Sequence, residues 1–187
     1  SDLYVIRKRI EHAADAAPVS ALSKRFFYIV SLSANTLIYK GMLTARQLGP
    51  LFPDLGDPAL VSCLAIVHQR FSTNTFPSWP LAHPYRMLAH NGEINTLKGN
   101  VNWMKSHEIR MAAQAFGEFG EDVKPVIQAS GSDSAALDNV FELLCQGGRS
   151  LPMVKTMMIP EAWAPDAPMP KALKEMYSYA NSVMEPW

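Results

Sequence analysis

The segment ALVSCLAIVHQR, residues 59–70, constrains the fold more than any other, because it is almost continuously apolar until its polar end. A strand that is covered on both faces has this pattern, whereas a strand with one solvent-facing side alternates apolar and polar residues. The segment therefore predicts a central, buried strand. Cys63, which lies inside it, is expected to be a buried structural thiol.

Three further segments are rich in the β-branched and aromatic residues that are typical of strands. Residues 25–33 and 36–42 are two such runs, and the Ala34-Asn35 step between them predicts a hairpin. Residues 85–91 form the fourth predicted strand. The intervening residues 71–85 contain three prolines and predict a loop with at most a brief turn.

Helical periodicity dominates the rest of the chain. In the first helix, one face carries Leu3, Ile6, Ile10 and Ala13/Ala14 and is expected to be buried. In the last helix, the residues expected to face inward are Leu173, Met176/Tyr177, Ala180 and Val183/Met184. Helices that cover at least one face of a mostly antiparallel sheet make an α+β fold. The predicted helices span residues 3–16, 95–116 with Asn95 as the cap, 130–148 and 170–185, with a short helical turn after an N-cap at Thr44.

Composition narrows the classes of function. Lys and Arg together number 17, as do Asp and Glu, so the net charge does not indicate a nucleic acid or an anionic membrane as partner. No apolar run approaches the ~20 residues that span a bilayer. Cys63 and Cys145 lack the spacing of a metal site and predict two buried thiols in a reducing compartment. The five histidines also lack metal-ligand spacing, so no metal site is expected.

Arg70 ends the predicted central strand and is followed at once by a cluster of hydroxyl and amide side chains that includes Thr73. A planar guanidinium grips a carboxylate through two parallel hydrogen bonds, and neighbouring hydroxyl groups complete such a site. This pattern indicates a carboxylate-binding site. The alternative is a structural ion pair between Arg70 and an acidic residue.

A second polar cluster, His90-Asn91-Gly92, ends the fourth predicted strand. Asn91 offers a side-chain NH₂ group, and the backbone N–H of Gly92 can approach a ligand closely because glycine has no Cβ. Two preorganised donors side by side are what an oxyanion hole requires. The alternative is an Asn-Gly turn of type I′ with His90 as a structural residue at the strand end.

Asp133 lies in the first turn of the predicted helix 130–148, where the helix dipole favours a carboxylate. It is therefore either a helix cap or a carboxylate that binds an ammonium group. A carboxylate clamp, an oxyanion hole and an ammonium acceptor together fit an α-amino acid whose side-chain carbonyl is attacked.

Four motifs carry a resemblance to a known family. They are HQRFSTNTFPSWPLAHPYRMLAHNGEINTLKGNVNWM, SGSDSAALDNVFELL, RSLPMVKTMMIPEAW and the terminal MEPW. In this order they closely resemble the glutaminase domain of the large subunit of glutamate synthase, a class II, N-terminal-nucleophile glutamine amidotransferase. The resemblance runs from about Leu3 to Trp187 and makes residues 1–187 part of one such domain.

The resemblance implies a fold and a set of roles. The fold is the Ntn-hydrolase αββα sandwich, which is expected to be incomplete here, with strands missing at both ends. Arg70 is implied to bind the α-carboxylate of L-glutamine with support from Thr73, and Asp133 to bind the α-ammonium group. Asn91 through its side chain and Gly92 through its backbone N–H are implied to form the oxyanion hole.

The nucleophile of the family is a Cys at the mature N-terminus, whose own α-amine acts as the base. Residue 1 of this chain is Ser, and Cys63 and Cys145 lie in segments that are predicted to be structural. The chain is therefore expected to be an internal fragment that has no nucleophile and no glutaminase activity by itself. The alternative is a non-catalytic, regulatory domain that binds glutamine or another amino acid.

For the parent enzyme, the resemblance implies that glutamine is hydrolysed and that the ammonia passes to another domain, where 2-oxoglutarate is aminated in glutamate biosynthesis. FMN and an iron–sulfur cluster are implied in those other parts, and no cofactor is expected in this chain. The expected partners are L-glutamine, the remaining domains of the parent, and a small electron-transfer subunit or ferredoxin. The expected compartment is the cytoplasm, with a plastid as the alternative.

Overall fold

The computed structural model describes residues 2–70, 76–94, 96–110, 115–129, 131–162, 164, 166, 168–183 and 187. Within these residues, helices are the regular elements. The described part of the chain contains seven α-helices: α1 Asp2–Ala16, α2 Ala21–Phe26, α3 Ala45–Leu51, α4 Leu97–Arg110, α5 Asp133–Gln146, α6 Leu151–Met158 and α7 Lys171–Val183. Short 3₁₀ helices lie at Pro53–Gly56, Trp79–Leu81 and Gly117–Phe119. None of the helices in this part of the chain is long and apolar enough to cross a membrane.

Helix α5 lies at the centre of the molecule, and its sequence specifies both ends. The Ser132 hydroxyl accepts a hydrogen bond from the Ala135 amide at 3.2 Å and so caps the first turn. At the other end, the Gly147 amide donates to the Leu143 carbonyl, and Gly148 follows with a φ of +98°, which favours glycine. The helix predicted over 130–148 is thereby confirmed.

The apolar core surrounds α5. Val140 of this helix is fully buried and belongs to one cluster with Val154 and Met158 of α6, which are also fully buried. Helix α5 contacts α4 and α6, and α6 contacts α7. The rest of the cluster comes from α1, α4, α5 and the segment between α4 and α5: Tyr4, Val5, Met104, Phe116, Val123, Val126, Leu137, Phe141 and Leu143.

The prediction of which face of α1 is buried is wrong. Leu3, Ile6 and Ile10 are 40%, 47% and 43% exposed, whereas the buried positions are Tyr4, Val5, Arg7, Lys8 and Glu11. The helix itself is confirmed, but it turns a mostly polar face toward α5. The physical reason is that the charged groups on this face find buried partners on other segments.

These partners form a buried network of charges. Arg7 bridges two carboxylates, with Nη1 at 2.5 Å from Oε1 of Glu11 and Nη2 at 2.7 Å from Oε2 of Glu142 in α5. Nη2 of Arg86 lies 3.3 Å from the same Oε1 of Glu11. Burial alone would lower the pKa of Arg7, but Glu142 and Glu11 raise it above its ordinary value, so the guanidinium stays charged.

None of the predicted strands is a strand in the part of the chain that the structure describes. Residues 25–33, 36–42, 59–70 and 85–91 have irregular backbone outside α2, and no hydrogen-bonded ladder joins any of the described residues. Cys63 is exposed, so the expectation of a buried thiol there is wrong, whereas Cys145 is half-buried; both are free thiols. The sheet of the α+β prediction, and with it the αββα sandwich, is therefore not confirmed. A strand depends on a paired neighbour for its backbone hydrogen bonds, and these segments have none among the described residues.

The shorter predictions have mixed outcomes. The backbone bends at Ala34-Asn35, where the Ser33 hydroxyl accepts from the amides of Asn35 and Thr36, but no hairpin ladder follows among the described residues. The helical turn after Thr44 is confirmed as α3, and Thr44 forms a capping box with Gln47.

The remaining helices are close to their predicted bounds. Helix α4 ends at Arg110, earlier than the predicted residue 116, and its predicted cap, Asn95, lies outside the described residues, as do residues 111–114. In α7, Tyr177 and Ala180 are buried as predicted, whereas Leu173, Met176 and Val183 are only half-buried and Met184 lies outside the described residues. Helix α6 has no counterpart in the sequence-based prediction, although Pro152 near its start is a typical helix-start signal.

Candidate functional site

The His90-Asn91-Gly92 corner closes on itself. The Gly92 amide donates to Nδ1 of His90 at 3.0 Å, and Nε2 of the same ring lies 2.7 Å from the Ser134 hydroxyl in the first turn of α5. Because Nδ1 accepts a hydrogen bond, the proton of the neutral ring is on Nε2, which therefore donates to Ser134. The corner is thus a fixed turn held against α5, and Asn91 itself is exposed.

Asp133 joins the same set of hydrogen bonds. Its Oδ1 accepts from the Ser134 amide at 2.6 Å and from the Ser134 hydroxyl at 3.2 Å. Its Oδ2 accepts from the Ile94 amide at 3.4 Å, two residues beyond the corner. The N-cap of α5 is Ser132, so Asp133 is the first helical residue and not the cap. A carboxylate offers about four lone pairs, so this half-buried group retains capacity for a cation.

Asp138 holds the segment that leads into the corner. This residue is fully buried in α5, one turn after Ser134 and on the same face of the helix. Its Oδ1 accepts from the amides of Met87 and Leu88 at 2.7 and 3.2 Å, and its Oδ2 accepts from the Arg86 amide at 3.3 Å. Burial raises the pKa of Asp138 to about 6, and the amide donors oppose that shift. Helix α5 therefore fixes residues 86–94 at two successive turns.

Three histidines connect the corner to the segment that contains Arg70. The ring centroids of His83 and His90 are 5.2 Å apart, and those of His68 and His83 are 5.9 Å apart, both in edge-to-face contact. His83 is the middle ring, and burial followed by the nearby His90 lowers its pKa to about 4, so it is neutral near pH 7. Since His68 is two residues before Arg70, these contacts bring the end of this described segment toward the corner.

The structure brings together some of the predicted site residues and not others. Asn91, Gly92 and Asp133 come together at the N-terminus of α5. Arg70 is exposed and ends its described segment, and Thr73 lies outside the described residues. The Gly92 amide, which is predicted as a free donor, already donates a hydrogen bond to Nδ1 of His90.

Three residues of this site were missed by the sequence analysis, namely His83, His90 and Ser134. His90 was interpreted as structural, and the two others were assigned no role. The sequence did contain one signal, because His90 directly precedes the two predicted oxyanion donors. Nothing local to Ser134 distinguishes it from the neighbouring serine, Ser132.

Cavity volume does not identify this site. A cavity of about 330 Å³ has a lining that includes Tyr4, Arg86 and Glu142 but none of the residues Asn91, Gly92 and Asp133. No group of three or more His, Cys, Asp or Glu in the described part of the chain is arranged to hold a metal ion. The corner on α5 is identified instead by its hydrogen-bond donors and its carboxylate.

Comparison with known proteins gives one consistent result. A family profile described as "Glutamine amidotransferases class-II" matches residues 1–187. The chain is 55% identical over 186 residues to the glutamate synthase [NADPH] large chain of Azospirillum brasilense, which covers 100% of this chain and 12% of that protein. It is 47% identical over 186 residues to the glutamate synthase [NADH] of Schizosaccharomyces pombe, covering 99% of this chain and 8% of the relative.

A plant relative is similar over the same region. The chain is 42% identical over 190 residues to the chloroplastic ferredoxin-dependent glutamate synthase 2 of Arabidopsis thaliana, covering 100% of this chain and 11% of that protein. The chain thus spans only about a tenth of the length of the relatives that it matches.

Proposed function

Because the chain belongs to the class II glutamine amidotransferases, we propose that it forms part of a domain that hydrolyses L-glutamine to L-glutamate and ammonia. One observation carries the proposal: the Asn91-Gly92 corner is fastened to the first turn of α5 beside the Asp133 carboxylate. The two groups proposed as oxyanion donors and the carboxylate proposed as the ammonium acceptor thus lie near one end of one helix. An α-amino acid with a reactive side-chain amide needs these groups at its two ends.

The proposed roles divide between binding and chemistry. Arg70, with support from Thr73, binds the α-carboxylate of glutamine, and Asp133 binds the α-ammonium group. The Asn91 side chain and the Gly92 amide bind the oxyanion that forms on the side-chain carbonyl oxygen. A thiolate–carbonyl intermediate concentrates negative charge on that oxygen, and donors aimed at it are the largest single contribution to catalysis in sites of this type.

The proposed reaction has two steps. A Cys thiolate at the mature N-terminus of the parent protein attacks the side-chain amide carbon, its proton having passed to the α-amine, and the C–N bond breaks as the nitrogen takes up a proton and leaves as ammonia. The γ-glutamyl thioester is then hydrolysed by water, which releases glutamate and restores the thiol. Residues 1–187 supply the binding groups and the oxyanion donors but not this nucleophile, so we expect the chain alone to be inactive.

The fold of the complete domain is proposed to be the αββα sandwich. Support comes from the family match over the whole chain and from residues 59–70, whose apolar side chains are exposed here and which pair with no strand among the described residues. Val61 and Val67, for example, are 87% and 80% exposed. A strand pairing of this segment would satisfy its amides and bury these side chains.

The parent protein is proposed to be a glutamate synthase that delivers the ammonia to another domain for the amination of 2-oxoglutarate. FMN and the iron–sulfur cluster belong to those other domains, because a cluster needs about four ligands, mainly Cys, and this chain has two cysteines. The relatives are named for NADPH, NADH and ferredoxin, so an electron-transfer subunit or ferredoxin is the proposed partner class. The proposed compartment is the cytoplasm, with a plastid as the alternative.

The proposal is tested by glutamine hydrolysis in the full-length parent protein. Asp133→Asn is expected to raise KM for glutamine, because the neutral amide cannot pair with the α-ammonium group, and Asn91→Ala is expected to lower kcat by about 10² to 10³. Asp54→Asn is the matched control, since Asp54 is also a first-turn carboxylate but is exposed and lies in another helical segment. Glutamine binding without any hydrolysis by the full-length protein would instead support the regulatory domain.

A further inference from the structure

The Gly92 amide is not a free donor in this structure, and the ring that accepts from it is fixed on three sides. Nδ1 of His90 holds the amide at 3.0 Å, Nε2 donates to the Ser134 hydroxyl at 2.7 Å, and the edge-to-face contact with His83 supports the ring. A Cβ built on Gly92 would lie 3.3 Å from the same Nδ1, so a larger residue would require the ring to shift by a few tenths of an ångström. The contact is therefore close as well as directional.

We propose that His90 is the positioning residue of the Gly92 oxyanion donor, and that Ser134 positions His90. This inference rests on the proposed function, because it concerns the same oxyanion hole. The ring holds the amide in place while the site is empty and releases it to the oxyanion during the reaction. Its anchor on Ser134 ties the location of that donor to Asp133, the proposed ammonium acceptor, through the 3.2 Å contact between the Ser134 hydroxyl and Oδ1.

The release of the amide is selective for the reacting substrate. When substrate binds, its side-chain carbonyl oxygen must replace Nδ1 of His90 as the acceptor of the Gly92 amide. Both acceptors are neutral, so exchanging one for the other adds little to the binding of the substrate. An oxyanion is charged, and hydrogen bonds to charged acceptors are roughly twice as strong as neutral ones. The exchange therefore favours the tetrahedral intermediate over the bound substrate, and only such a difference raises kcat.

The anchor matters because the donor must be aimed accurately. A displacement of about 1 Å in a reacting geometry can lower a rate by about 10²-fold. Without the Ser134 hydroxyl, the imidazole loses the hydrogen bond that fixes its second nitrogen, and it can rotate about its side-chain bonds. Gly92 then loses a fixed acceptor, and the amide samples directions that miss the oxyanion.

The test uses the full-length parent enzyme and four variants: His90→Ala, Ser134→Ala, the double variant, and Ser132→Ala as the control. Ser132→Ala makes the same chemical change at the start of the same helix and removes the N-cap of α5 and a hydrogen bond with the Tyr85 hydroxyl, but no contact with His90. Ser134→Ala is expected to lower kcat about 10-fold and His90→Ala about 10²-fold. KM for glutamine is expected to change little in His90→Ala, which keeps the contact of the Ser134 hydroxyl with Asp133. The kcat of the double variant is expected to match that of His90→Ala, because Ser134 acts on the Gly92 amide through His90.

A binding measurement separates positioning from a loss of structure. The probe is L-glutamate γ-semialdehyde, whose open aldehyde is in equilibrium with a cyclic imine in water. The Cys nucleophile adds to the open aldehyde to form a hemithioacetal whose oxygen occupies the oxyanion hole, and the cyclisation cancels when wild type and variant are compared. L-glutamate is the comparison ligand that forms no such adduct. His90→Ala is expected to lower the affinity for the aldehyde by about the same factor as kcat and to leave the affinity for L-glutamate unchanged. His90→Asn, whose side-chain oxygen stands near the position of Nδ1, is expected to recover part of the loss.

Three results would overturn the inference. One is an equal loss of kcat in Ser132→Ala and Ser134→Ala, which would reflect loosening of α5. Another is a loss of kcat in the double variant that equals the product of the losses in His90→Ala and Ser134→Ala. The third is an equal loss of affinity for the aldehyde and for L-glutamate. Each leaves wild-type hydrolysis intact and so spares the proposed function, whereas absence of glutamine hydrolysis by the wild-type enzyme would overturn both.

Discussion

Nη2 of Arg7 lies 2.7 Å from Oε2 of Glu142, although 135 residues separate the two in the chain. The side chains are 3% and 8% exposed, so this ion pair is buried. It joins α1 to α5, the helix that also holds the Asn91-Gly92 corner. The desolvation penalty of two buried charges is large, and the pair offsets it only while both partners are present.

Glu142→Gln is therefore expected to lower the free energy of unfolding by about 3 kcal/mol, because Arg7 remains buried and loses one of its two carboxylates. Urea unfolding followed by far-ultraviolet circular dichroism measures the change. Glu175→Gln is the matched control, since Glu175 forms an exposed pair with Lys171 at 3.6 Å, and its effect is expected to stay within about 0.5 kcal/mol. Equal effects of the two substitutions would show that the buried pair is not a source of stability.

The sequence could predict α5 but not this pair. The start and end of α5 are specified locally by Ser132 and Gly147, so the helix follows from its own residues. The buried face of α1 carries Arg7, whose partner Glu142 is remote in sequence, and the apolar pattern of Leu3, Ile6 and Ile10 pointed to the wrong face. Local signals thus define the helices, whereas their burial depends on distant charged partners.

Asp138→Asn is expected to remove a pH dependence of stability. Burial raises the pKa of Asp138 from 3.8 to about 6, so the folded state binds this proton more tightly than the unfolded chain does. Protonated Asp138 therefore stabilises the folded state fully below about pH 4, and this stabilisation is lost as the pH rises through 6. Relative to the variant, the wild-type chain should lose up to about 3 kcal/mol of its free energy of unfolding as the pH rises between these limits.

The measurement is urea unfolding of both chains at several pH values. The amide that Asp138→Asn introduces keeps the size of the side chain, and its oxygen can still accept from the amides of Met87 and Leu88. A difference between the two chains that does not change with pH would contradict the prediction, and so would a difference that grows in favour of the wild type as the pH rises.

His83→Gln is expected to remove a pH dependence of stability that has the opposite sign to that of Asp138. Burial and then His90 lower the pKa of His83 from 6.5 to about 4, so the folded state binds this proton more weakly than the unfolded chain. The stabilisation is complete above about pH 6.5 and is lost as the pH falls toward 4. The wild-type chain should therefore lose more stability on acidification than the variant, measured by unfolding of both chains over this range; an identical acid response would contradict the prediction.

The candidate site shows the same limit of sequence reasoning. Asn91, Gly92 and Asp133 were predicted from donor and acceptor chemistry, and the structure brings them together. The link between them, from His90 to Ser134, spans 44 residues and follows from packing that no local pattern encodes. The strand predictions are not confirmed among the described residues for a related reason, because the apolar run at residues 59–70 indicates burial but does not contain the neighbours that would bury it.

Cys63 gives a direct chemical test of this last point. Cys63 is exposed, whereas Cys145 is half-buried and its pKa is raised by burial, so its reactive thiolate is scarcer. In the native 187-residue chain, a thiol-specific disulfide reagent is expected to label Cys63 at nearly the rate found in urea and Cys145 more slowly. Cys63→Ser should remove the fast phase, and Cys145→Ser the slow one.

The same labelling in the full-length parent protein tests the proposed sandwich. If residues 59–70 are a central strand of the complete domain, Cys63 becomes covered on both sides, and its labelling should slow by orders of magnitude. The labelling rate of Cys145, measured in the Cys63→Ser variant, should be the same in both proteins. Equally fast labelling in both proteins would contradict the sandwich at this segment. Slow labelling of Cys63 in the 187-residue chain itself would contradict its exposure and would indicate that the chain forms the strand without the rest of the parent.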